Sequence, residues 1–206
     1  MRSRLSRLFA VVGIASMVIA SAAWAQGQAP VRVRGTVEKT DGQTIVVKNR
    51  DGNDLTIKLA DNVAISGIVK AALSDIKNGS YIGVSAMPQP DGSQHALHVH
   101  IFPEPLRGVA EGHSAWDVRP GSTMTNATVA EIVTAVDGQV ITVKYKDGEK
   151  KIVVPPEAPI VTYVPGDKGE LKPGAKIFII AAQRQPDGTL SAARVNVGRD
   201  GLTPPM

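Results

Sequence analysis

Every histidine of this chain falls between positions 95 and 113: His95, His98, His100 and His113. On a strand, His98 and His100 share one face with their Cα atoms about 7 Å apart. Two imidazoles so placed can converge on one metal ion, with His95 or His113 completing the shell and Asp117, Glu111, Met87 or Met124 within reach in sequence. Such ligands suit Cu(II), Ni(II) or Zn(II), and copper binds them tightest. The competing reading is plainer. If Leu97, Val99 and Ile101 face a core, His98 and His100 stand on a solvated strand face.

Other chemistry is scarce. There is no cysteine, which excludes disulfides, thiolate nucleophiles and Cys-ligated zinc. No nucleophile elbow, zinc-protease helix, phosphate loop or dinucleotide fingerprint occurs. Ser114, His113 and Asp117 are neighbours in sequence, which is not the geometry a triad needs, so no enzyme is expected. The run Asn49 to Asp54 lacks the spaced acids and closing Glu of a calcium loop and reads as a hairpin. Beyond residue 25 the rings are Tyr81, Phe102, Trp116, Tyr145, Tyr163 and Phe178, a poor stacking platform if spread over two barrels.

The elements that must position these residues are set by an internal repeat. DGQTIVVKNRDG from Asp41 matches DGQVITVKYKDG from Asp137, an offset of 96. At the same offset Asp91-Gly92 falls on Asp187-Gly188, giving two units, 31–102 and 125–198. His98 and His100 then align with Arg194 and Asn196. Histidine is not demanded by the fold, and exchanging the pair for Arg and Asn is expected to leave stability unchanged.

Asp-Gly between alternating apolar runs predicts hairpins closed by type I′ turns. In the first unit Val31, Val33 and Val37 alternate with polar residues, Ile45 and Val47 follow one turn, and Leu55, Ile57 and Leu59 follow the next. Val69, Leu73 and Ile76 are spaced for a short amphipathic helix. Ile82, Val84 and Ala86, then Leu97, Val99 and Ile101, supply two more strands. The predicted fold is all-β, two tandem five-stranded OB-like barrels, the first with a short helix between its third and fourth strands. In the second unit five prolines between Pro155 and Pro173 predict a loop in the helix's place.

The DGQ-type hairpins and the step before the fourth strand, Ile76-Lys77-Asn78-Gly79 and Leu171-Lys172-Pro173-Gly174, carry a resemblance. The chain resembles a family of uncharacterised bacterial exported domains of unknown function, small OB-like β-barrels often found in tandem. The resemblance implies the fold and supplies no catalytic residue.

Arg2, Arg4 and Arg7, the apolar run Leu8 to Ala23 and the site Ala23-Trp24-Ala25 predict a signal peptide over residues 1–25, cleaved before Gln26. The run is too short to span a bilayer. The whole chain carries 23 Lys and Arg against 19 Asp and Glu, and without residues 1–25 the balance is 20 against 19. A near-neutral chain gives a nucleic-acid partner no concentrated basic surface. Residues 103–124, rich in Pro and Gly, read as a linker or a functional loop pinned by Trp116, and residues 199–206 as a flexible tail. The function predicted is a non-enzymatic, exported periplasmic binding or scaffold protein, with an unknown ligand or envelope partner and no membrane span after cleavage. The alternative is a periplasmic copper or zinc binder built on His95, His98, His100 and His113.

Overall fold

The computed structural model describes residues 29–135 and 138–205; the segment read as a signal peptide and the turn expected at Asp137 lie outside them. The described chain is all-β: twelve strands and three single turns of 3-10 helix. In order these are β1 (Val31–Asp41), β2 (Thr44–Asn49), β3 (Asp54–Lys70), β4 (Tyr81–Pro88), β5 (Gln94–Ile101) and β6 (Gly112–Ala115). They continue as β7 (Thr123–Ala135), β8 (Gly138–Tyr145), β9 (Gly148–Val154), β10 (Ile160–Pro165), β11 (Lys176–Arg184) and β12 (Leu190–Gly198).

The hairpins form where the Asp-Gly pairs predict them, by a different turn chemistry. Asp41 pairs with Thr44, so the central residues are Gly42 and Gln43, and of these only Gly42 has positive φ. That is the pattern of a type II′ turn, whose first central residue is glycine. At the next turn Gly52 donates to Asn49 O and Asn49 to Asn53 O, with Gly52 at φ 83°. The Asn49 side chain accepts from the backbone of Asp51 and Asn53, which closes a hairpin and leaves no calcium loop. Gly92 and Gly188 repeat this arrangement over Gln89 and Gln185.

Five strands close a barrel: β1 pairs with β2, β2 with β3, β3 with β12 in parallel, β12 with β11, and β11 with β1. Its core holds Val33, Val37, Ile45, Val47, Ile57, Ile177, Ile179 and Val195. These strands come from the two ends of the chain, so the barrel joins the first three strands of one unit to the last two of the other. The stretch between supplies a second series, β5-β4-β7-β8-β9, in which β5 also meets β9 in parallel at Gln94↔Ile152 and His95↔Val153. It has a core of its own, with Ile82, Val84, Val99, Val129, Ile141 and Ile152.

Two crossings connect the series. The far half of β3 (Ser66 to Lys70) and β10 run antiparallel to each other, and β10 also pairs in parallel with β5. β3 is one long strand, while its counterpart is split into β9 and β10. The cause is local: Pro155 and Pro156 stand where the repeat places Leu59 and Ala60, and proline has no N–H to give a ladder.

The short helix expected from Val69, Leu73 and Ile76 does not form. Val69 lies in β3 opposite Thr162, and only Leu73–Asp75 makes a single 3-10 turn, with the Asp75 carboxylate accepting from the Ala72 N–H. The β-branched residues Val63, Ile65, Ile68 and Val69 favour extension, and pairing to β12 and β10 keeps them in the sheet. The second unit carries the same device at Lys168–Glu170, capped by Asp167. The repeat is therefore more regular than the prolines suggest.

The last residues lie against the body. Arg199 bonds Glu170 at 2.8 and 3.1 Å and the Pro165 carbonyl at 2.6 Å, and Leu202 packs on Ile68, Val161 and Phe178.

Candidate functional site

The two faces of β5 divide the molecule's chemistry. A β-bulge in the β4–β5 pairing sets Ser85 opposite His98 and Ala86 opposite Ala96, leaving Leu97 as the extra residue. Ala96 and Val99 are therefore the buried residues facing the core, joined by Ile101, while Leu97 is half-buried and outside it.

The opposite face is not solvated. β10 runs beside β5 in the sheet and brings Tyr163 against His100, and His98 and His100 are only 2% and 3% exposed. Their rings stack, centroids 4.8 Å apart and 20° between planes. The series continues edge-on to Tyr163 at 6.0 Å, from Tyr163 to a stacked Phe102 at 5.3 Å, and from Phe102 to Tyr81 at 5.4 Å. Gly83 makes room for it: a Cβ there would stand 2.6 Å from Asn126 Oδ1 and 2.9 Å from the Phe102 ring.

Burial sets the protonation states. It lowers the His98 pKa to about 2, helped by His100 and then Arg34, and the His100 pKa to about 3. Both rings are neutral across the physiological range. His100 Nδ1 is 3.2 Å from the Tyr163 hydroxyl, whose own pKa burial raises. The Nε2 atoms of both histidines are buried without a hydrogen-bond partner.

The other two histidines stand apart from this pair. His95 is exposed at the start of β5, and half-buried His113, on β6, places Nδ1 2.8 Å from Thr125 Oγ1. Burial, then Lys150, lowers the His113 pKa. Among the described residues no group of three or more His, Cys, Asp or Glu is arranged to hold a metal ion. Asp117 is engaged elsewhere, with both oxygens on Arg34 at 2.6 and 3.1 Å, so Ser114, His113 and Asp117 form no triad.

The 103–124 segment is built into the molecule. β6 pairs with β7, and the Val109 carbonyl accepts from the Tyr81 hydroxyl at 3.1 Å and from Asn126 Nδ2 at 3.2 Å. Trp116 packs on Ile68, Val161 and Phe178, as a pinning role requires. Arg32 lies 3.9 Å from the centre of its ring and Arg34 4.8 Å from that of Phe178, and both arginines pair with Asp117.

Under this segment is a cavity of about 150 Å³, lined by His100, Phe102, Leu106, Trp116, Tyr163 and Phe178, by Met124 and Asn126 on β7, and by Arg194 and Asn196 on β12. Ile180 and Val109, both exposed, also border it. Three of its residues bring a buried polar atom with no partner: His100 Nε2, Trp116 Nε1 and Asn126 Oδ1. The sequence shows which rings exist but not that four of the six converge here, with Tyr81 beside Phe102. The one local signal is Gly83 in mid-strand, which marks a close approach. No protein-family model matches this chain, and no curated protein or solved structure is significantly similar to it.

Proposed function

We propose that this protein is a non-enzymatic, exported binding protein that holds a small organic ligand in the cavity beneath the 103–124 segment. The observation that carries the reading is the coincidence of aromatic lining with three unpartnered buried polar atoms. Buried polar groups are nearly always paired, and ligand sites combine an apolar wall with a few convergent polar groups. The fold is read as two OB-like barrels, the second inserted into the first, with the cavity at their seam. Export rests on the arginine-led apolar segment and the Ala23-Trp24-Ala25 site, which direct the chain to the periplasm.

The copper or zinc reading draws on fewer observations, since only His98 and His100 meet and both are sealed from solvent. A thermal-shift screen of small aromatic, aliphatic and metal-ion ligands tests the proposal. Stabilisation by organic compounds that perturbs Trp116 supports it; stabilisation by Cu(II) or Zn(II) alone, lost on changing His98 and His100, overturns it. Intact mass of the periplasmic form checks export, with Gln26 expected as the first residue.

A further inference from the structure

We infer that the ligand of this cavity is a neutral, single-ring aromatic compound carrying a hydroxyl group, a phenol in chemical class. The inference rests on the reading of the cavity as a ligand site and adds to it the identity of what fits.

Size sets the first limit. A cavity of this volume accommodates a molecule of benzene's dimensions. The walls set the second. Phe102, Trp116, Tyr163 and Phe178 present ring faces and edges, and aromatic pairs add attraction beyond the area they bury.

The polar atoms set the third, and they are complementary. Trp116 Nε1–H can only donate. Asn126 Oδ1 can only accept, its amide nitrogen being committed to the Val109 carbonyl. A hydroxyl can answer either atom, accepting from the first or donating to the second, whereas an ether can only accept and a methyl group does neither. His100 Nε2 meets either half of a hydroxyl according to the tautomer its Nδ1 contact with Tyr163 selects.

Charge sets the last limit. His100 is neutral, and the one formal charge in the lining is Arg194, exposed to solvent on β12. An ion drawn inside would lose its hydration without a buried counter-charge.

The test follows the Trp116 indole N–H resonance of the ¹⁵N-labelled protein, identified with a Trp116→Phe variant, during titration with phenol, anisole, toluene, benzoate and benzylamine. Phenol is expected to give a saturable shift with a Kd of about 0.1–1 mM, reasonable for so few heavy atoms. Anisole should bind about tenfold more weakly, toluene more weakly still, and the two ions should leave the resonance in place. Asn126→Leu should erase the preference for phenol over toluene; because Asn126 also holds Val109, the comparison among ligands decides the matter even if that variant unfolds. If toluene matches phenol, or an ion binds better than either, the phenol class is wrong while the cavity remains a ligand site. If none of the five moves the resonance below about 10 mM, where weak partition begins to account for shifts, the cavity is no ligand site and both readings fall.

Discussion

β5 and β12 occupy equivalent places in the repeat and both border the cavity, yet one contributes the neutral imidazole of His100, stacked on His98, and the other an exposed guanidinium beside a buried amide. The difference comes from what surrounds each strand. β5 lies inside the sheet between β4 and β10, and His98 and His100 are desolvated there. At the matching place on β12, Arg194 remains in water while Asn196 is buried. The two copies of the repeat thus give one cavity two unlike walls.

The sharpest way to break the comparison is to separate the two series of strands. Removing residues 176–206 deletes β11 and β12 and strips Ile177, Ile179, Val195 and Val197 from the first core. The loss exceeds the roughly 5–15 kcal/mol that holds a domain together. The first barrel should unfold entirely, whereas residues 71–160, which carry β4 to β9, should keep a cooperative melt and β-type circular dichroism. If cutting the chain within 108–121 instead yields two independently folded halves, the strands are not exchanged as described.

The next largest effect exchanges the walls. His98→Arg with His100→Asn puts a guanidinium where the side chain is 2% exposed, and an unpaired buried charge costs about 3–5 kcal/mol. The reverse change, Arg194→His on exposed β12, should lie within about 0.5 kcal/mol. Urea melts of the two variants measure the asymmetry directly. The sequence predicts the first exchange to be neutral, because alignment with β12 says nothing about what covers β5.

Acid should separate the walls further. The His98 and His100 pKa values are depressed in the folded protein and return to about 6.5 when it unfolds. The unfolded state therefore binds more protons below pH 6.5, and stability falls as pH drops. The slope approaches about 2.7 kcal/mol per pH unit for two histidines, and the loss continues down to the folded values of about 2 and about 3. Arg34, already acting on His98, adds to the repulsion once the ring charges. His98→Gln should halve this slope. An equal slope in the wild type and this variant would show that other groups govern the acid limb.

The hairpins, the all-β class and the offset of 96 were legible because Asp-Gly turns and alternation act over a few residues. The helix expectation came from the same locality: Val69, Leu73 and Ile76 fit a helical spacing, but pairing of β3 with β10 holds Val69 in the sheet, and its partner Thr162 is more than 90 residues away. The site was half legible. His98 and His100 were correctly placed on one face of one strand, but their burial and the gathering of Tyr81, Phe102, Trp116, Tyr163 and Phe178 depend on the exchange of strands, which leaves no periodic trace. Trp116 could be singled out by its rarity, and Asn126 could not be singled out at all.

The smallest effect concerns how the first barrel grips the 103–124 segment. Burial alone would raise the Asp117 carboxyl, but hydrogen bonds and charge from Arg34, with Arg32, hold it below the usual carboxylate range. The bidentate geometry is favourable, yet Asp117 is 44% exposed, so water screens much of the attraction. Asp117→Ala should cost about 1 kcal/mol. It also leaves Arg32 and Arg34 side by side without their shared anion, loosening the guanidinium that covers Trp116. In the chain from Gln26 onward Trp116 is the only tryptophan, so its emission should move to the red and become easier to quench. Arg32→Gln, which removes the cation over the ring and keeps the Arg34–Asp117 pair, should cost only about 0.5 kcal/mol. If Asp117→Ala leaves the emission unmoved, the segment is held from the second series of strands, by the β6–β7 pairing and by Tyr81 and Asn126 on the Val109 carbonyl, and not from the first barrel.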